Sequence, residues 1–111
     1  MKITELAREL NLRIEFEPFR DEQVGGAYTS DLLSDVMGNA QEGQVLVTIQ
    51  AHKNTVAVAS LIGAAGIIIC NNRPLADDMV SSAREEGIPI LVSGESQYVI
   101  SGKLYRLLNG E

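Results

Sequence analysis

Gln50, His52, Lys53, Asn54 and Thr55 stand together directly after the apolar run Val45-Leu-Val-Thr-Ile49. His52 is the only histidine. Its ordinary pKa lies near neutrality, so it could pass a proton as a general acid or base. That chemistry needs a partner to orient the imidazole and a substrate beside it. Asp31 and Asp35 are the candidate carboxylates for that role. Without such a partner, a histidine at a helix start serves in capping, hydrogen bonding or ligand contact. A metal site would need more ligands than one histidine without cysteine partners supplies, and no metal or cofactor is expected. Arg73, beside Asn71 and Asn72, could fork onto a carboxylate or phosphate; the alternative is a solvated arginine. Cys70 ends an apolar strand, which suggests burial rather than redox or nucleophilic use. There is no G-x-x-x-x-G-K-[ST] loop and no G-x-G-x-x-G fingerprint, so nucleotide hydrolysis is disfavoured.

The elements that must hold these residues follow from periodicity. Ile3, Leu6, Ala7 and Leu10 share one helical face, with Thr4 as the expected cap and Asn11 as the stop. Leu12 to Phe16 alternates apolar and charged residues and reads as a short strand, and Val24 to Tyr28 as a second one. Thr29-Ser30-Asp31 looks like a helix start, with Leu32, Leu33, Val36 and Met37 as the buried stripe. Three strand–helix units then follow: 44–49 with 54–62, 66–70 with 75–86, and 88–92 with 96–108. Pro74 suits a first helical turn. In the last helix Ile100, Leu104, Leu107 and Leu108 form the stripe. Tyr98 and Tyr105, seven apart, share a face, which favours packing in the core or at a subunit contact.

Short connections of this kind require right-handed crossovers and parallel strands. The expected fold is a three-layer α/β/α sandwich around a central, mostly parallel sheet of about five strands, mixed if the first half contributes an antiparallel member. The turns after the parallel strands then lie along one sheet edge, which brings Gln50 to Thr55, Asn71 to Arg73 and Ser93 to Ser96 side by side. Ser30 and Asp31 join them if the strand before them runs the same way. Helix N-termini gathered there favour a small polar or anionic ligand. Turn residues are also polar simply because they cap helices and face water.

The 111 residues are expected to form one domain, residues 1–111. A net charge of -6, with the basic residues scattered, argues against a nucleic-acid partner, and none is expected. The absence of Trp leaves little for stacking on bases. No apolar stretch reaches the ~18 residues that a membrane span needs, so no membrane partner is expected. The acidic residues Glu5 and Glu9 interrupt the N-terminus, which argues against a signal sequence. One cysteine gives no disulfide framework. The expected location is cytoplasmic.

Three stretches carry a resemblance: Gly26-Ala-Tyr-Thr-Ser30-Asp31-Leu-Leu-Ser-Asp-Val-Met, then Val47-Thr-Ile-Gln50-x-His52-x-Asn54, then Gly66-Ile-Ile-Ile, with Ile88-Pro-Ile-Leu at the close. The chain resembles, over almost its whole length, small stand-alone DRTGG-domain proteins. These are related to the N-terminal domain of HPr kinase/phosphorylase. The family's Asp-Arg-Thr-Gly-Gly-like motif has its counterpart at Ala51-His52-Lys53-Asn54-Thr55, where the Asp-Arg pair is absent. The resemblance implies an α/β fold and a regulatory module that pairs with copies of itself. Kinase activity is not implied, since that kinase keeps its phosphate loop in another domain.

The leading expectation is therefore a non-catalytic, homodimeric regulatory module. It would sense a small polar ligand or hold a protein partner through Gln50, His52, Lys53, Asn54 and Thr55, supported by Ser30, Asp31 and Asn72. One alternative is a small enzyme using His52 as acid or base, oriented by Asp31 or Asp35. The other is a purely structural interaction domain with nothing bound at the edge.

Overall fold

Strands that are apolar on both sides must be covered on both faces, and the chain builds such a sheet. The computed structural model describes residues 1–110, in the order α1 (Ile3–Glu9), β1 (Arg13–Ile14), β2 (Gly26–Thr29), α2 (Leu33–Asn39), β3 (Gln44–Thr48), α3 (Lys53–Ile62), β4 (Gly66–Ile69), α4 (Asp77–Glu86), β5 (Ile90–Val92) and α5 (Gln97–Leu108). The strands lie in the order β1-β5-β4-β3-β2. The four from β2 to β5 are parallel, and β1 joins β5 antiparallel. The three-layer, mixed five-stranded sandwich expected from the sequence is the fold that forms.

Because β2, β3, β4 and β5 are neighbours in sequence order, three crossovers of the same hand put α2, α3 and α4 on one face. Val36, Val56, Ala59, Met79 and Ala83 pack there on Leu46, Ile67, Ile69, Ile90 and Val92. On the other face α1 and α5 bring Ile3, Leu6, Ile100 and Leu104 onto Val45, Val47, Ile68 and Leu91. Each large side chain so buried contributes about 1.5–3 kcal/mol, and the period-2 alternation of β3, β4 and β5 supplies both layers. Gly63 and Gly87 close α3 and α4 in the left-handed conformation, at φ 72° and 71°, which glycine adopts without strain.

Several local expectations are corrected. Thr4 does not cap α1. It lies inside the helix, and its N–H and hydroxyl donate to Asp21 Oδ1 and Oδ2 at 3.0 and 2.7 Å. A carboxylate seventeen residues away thus caps the helix end. The strand expected over Leu12–Phe16 shortens to Arg13 and Ile14, paired with Val92 and Leu91 of β5, and Glu15 N continues the contact by donating to Ile90 O at 3.0 Å. Helix α2 begins at Leu33, because Ser30 and Asp31 are engaged elsewhere: Ser30 Oγ accepts from Leu32 N at 3.2 Å. Of its expected stripe only Val36 is fully buried, and Leu32 and Met37 are 64% and 48% exposed. Helix α4 starts at Asp77 rather than after Pro74. Tyr98 and Tyr105 are 88% and 65% exposed, which rules out a place in this chain's own core.

Candidate functional site

The edge formed by the C-terminal ends of the parallel strands gathers the turns in the expected way. Cys70 N donates to Thr48 O at 3.0 Å, Ser93 N to Ile69 O at 2.9 Å, and Ser30 N to Val47 O at 3.2 Å. Asn71 and Asn72 adopt left-handed backbone, at φ 61° and 52°. Their N–H groups donate to Glu95 O and Ser93 O, each at 2.9 Å, so the turns after β4 and β5 are laced together. Arg73 stays exposed, and it forms no ion pair among the described residues.

Asp31 is the centre of one cluster. Its Oδ1 accepts from Thr48 Oγ1 at 2.8 Å, from Ile49 N at 2.9 Å and from Gln97 Nε2 at 3.0 Å. One carboxylate therefore ties the end of β2 to the end of β3 and to the first turn of α5. Ligand crevices in open α/β sheets form where the strand order reverses, and from β2 to β5 it does not reverse. Gln97 lies sixty-six residues from Asp31, and no local spacing pointed to it.

Thr55 is buried, and its hydroxyl donates to Gln50 O at 2.7 Å, while Gln50 N donates to Thr48 Oγ1 at 3.1 Å. Thr55 thereby shapes the turn from inside. His52 precedes α3 in an extended conformation, φ -131° and ψ 157°, and its side chain makes no capping bond. His52, Lys53 and Asn54 are exposed. They line an open depression of about 400 Å³ with Ala76 and Asp78, where α4 begins. Ala76 N reaches Ala51 O at 3.5 Å. Asp78 was not among the residues expected here, because the sequence pattern started α4 two residues too early for its first turn to face α3.

The expected residues thus fall into three neighbouring groups along one edge: the Asp31 clasp beside Ser30, the Asn72 turn, and the His52–Asn54 depression. Neither carboxylate considered as a partner of His52 approaches it. Asp35 Oδ2 accepts from the Tyr28 hydroxyl at 2.8 Å, and Oδ1 from Asn39 Nδ2 at 2.9 Å. The Tyr28 hydroxyl, helped by Ser30, holds the Asp35 carboxyl below its ordinary pKa, and the same bond pushes Tyr28 up. Burial, with the charges of Asp31 and Glu95, pushes the Cys70 thiol up to about 11. A thiol so protonated is a poor nucleophile.

No protein-family description matches the sequence, and no curated protein does. Among solved structures the chain is similar to the CBS and DRTGG domains of the regulatory region of Clostridium perfringens pyrophosphatase, crystallised with the activator diadenosine tetraphosphate. The TM-score is 0.68 at 9% sequence identity, covering 92% of this chain and 44% of that one. The likeness is one of fold, and this chain spans less than half of that region's length.

Proposed function

We propose that residues 1–111 form one DRTGG-like regulatory domain, of the kind related to the N-terminal domain of HPr kinase/phosphorylase, which performs no catalysis and works as a pair of copies. It reports the binding of a small anionic ligand at the start of α3, on the surface of His52, Lys53 and Asn54. Gln50 and Thr55 shape that turn, and Ser30, Asp31 and Asn72 hold the flanking edge.

The observation that carries this reading is the uncapped N-terminus of α3. No side chain caps α3. Of its first-turn N–H groups Thr55 N donates to His52 O at 3.0 Å, while those of Lys53 and Asn54 have no acceptor inside their own helix and lie beside the depression lined by Asp78. Amides and an ammonium on one wall suit a phosphate or carboxylate. A carboxylate on the other suits a hydroxyl or amine. A nucleotide carries both kinds of group, and the similar pyrophosphatase region binds a nucleotide activator. The fold likeness to a regulatory region and the separation of His52 from Asp31 and Asp35 support regulation over acid–base chemistry.

Thermal unfolding in AMP, ATP, diadenosine tetraphosphate or inorganic phosphate tests the reading. A bound ligand at a hundred times its Kd stabilises by about 2.7 kcal/mol. At least one of the four is expected to raise Tm in the native chain, with the rise reduced in Lys53→Ala. No rise with any of them, or a rise untouched by Lys53→Ala and His52→Ala, overturns the site.

A further inference from the structure

Helix α5 has an outer face that nothing in the chain covers. Tyr98, Val99 and Tyr105 are exposed at 88%, 38% and 65%, three of the six exposed large hydrophobic residues among those described. Between the two tyrosines stands Gly102, in the interior of the helix. Glycine is the poorest helix former after proline, and here the fold gives no reason for it: a Cβ at Gly102 would meet no heavy atom within 4 Å. A mid-helix glycine flanked by exposed aromatics keeps open a close approach to the helix backbone from outside.

The order of these residues says what approaches. Tyr98, Ser101-Gly102 and Tyr105 read the same way in both directions along the helix, with small residues at the midpoint. A two-fold contact needs a patch that is complementary to itself. If two α5 helices cross antiparallel at Ser101-Gly102, Tyr98 of each lands on Tyr105 and Arg106 of the other. Ring meets ring and guanidinium meets ring, both favourable contacts, from residue types enriched at interfaces. The charge also fits. Although the chain carries -6, α5 contains no acidic residue, so the crossing brings no carboxylates together.

We infer that a second copy of this chain docks on the outer face of α5, about a two-fold axis at Ser101-Gly102, with Tyr98 of one copy against Tyr105 and Arg106 of the other. This names the surface for the pairing stated above and is independent of the depression at α3.

Light scattering over a concentration series, with cysteine cross-linking, tests the contact. The native chain is expected to reach twice 12.0 kDa. The double variant Tyr98→Glu, Tyr105→Glu, which alters only exposed positions, is expected to stay monomeric with unchanged helical circular dichroism. Gly102→Leu is expected to weaken pairing by about tenfold or more while the monomer melts no lower, since leucine favours helix. Gly102→Cys is expected to form an intermolecular disulfide under mild oxidant, and Leu61→Cys, exposed on α3, is not. A native chain that is monomeric at millimolar concentration overturns the inference, whatever the ligand response at Lys53. So does a dimer that survives the double tyrosine variant, or equal cross-linking at Gly102 and Leu61.

Discussion

Asp31 shows how much one side chain can do at the edge of a sheet. From the sequence three roles were open to it: part of a helix start, a ligand contact, and the carboxylate that orients His52. In the fold its Oδ1 takes three donors from two other elements. Thr48 is only 1% exposed, so its hydroxyl has no water to turn to. Removing the acceptor leaves buried donors unpaired, at about 1–3 kcal/mol. Asp31→Ala is therefore expected to lower the unfolding free energy by about 2–3 kcal/mol, measured as a shifted urea midpoint at unchanged m. Asp31→Asn keeps a carbonyl oxygen for the donors and is expected to cost less. Equal losses for the two variants would mean that charge, not hydrogen bonding, sustains the clasp. The loop residues His52, Lys53 and Asn54 were legible as a surface feature, because a polar cluster after an apolar strand marks a strand end. The bonds of Asp31 were not, because Gln97 is remote in sequence and close only once α5 has docked.

Among the elements, α1 and β4 illustrate a contact set by the absence of a side chain. A Cβ at Gly66 would lie 3.0 Å from Ile3 Cδ1 and 3.1 Å from Pro89 Cγ. Ile3 is fully buried and cannot swing aside. Gly66→Ala is expected to destabilise the domain by about 1–3 kcal/mol through overpacking. Combining it with Ile3→Val, which deletes the clashing methyl, is expected to recover part of that loss as a coupling energy. Strict additivity in calorimetric unfolding would place the strain elsewhere. The same elements show why some boundaries were readable. The stripes of α1 and α5 and the strands β3 and β4 announced themselves, since hydrophobic periodicity is a property of neighbours in sequence. The cap of α1 was misread as Thr4, because Asp21 supplies it from another segment. The stripe of α2 was half wrong: the helix begins after Leu32, and its short length leaves Met37 past the edge of the core.

For the molecule as a whole, the three strand–helix units dictated a parallel sheet, and β1, which lies outside those units, joins β5 antiparallel. What periodicity does not reveal is sidedness. Helices α2, α3 and α4 share one face because the strand order from β2 to β5 does not reverse, a fact of topology rather than of local pattern. Charge is likewise a property of the whole. The chain holds fifteen acidic and nine basic residues, yet among the described residues only Arg13–Glu15 and Lys103–Glu95 form ion pairs. Both are solvated enough to contribute little. The unpaired acids repel one another across the surface, a cost that the compact state bears more than the unfolded one. Raising ionic strength shortens the Debye length from about 10 Å at 0.1 M to about 3 Å at 1 M, so sodium chloride is expected to raise Tm at pH 7. A relief of about 1 kcal/mol corresponds to roughly 4 °C for a domain of this size. Near the sequence pI of 4.7 the net charge vanishes, and the same salt is expected to do much less. An equal rise at both pH values would mean that the salt acts through hydration of apolar surface, and that self-repulsion is not what limits this domain.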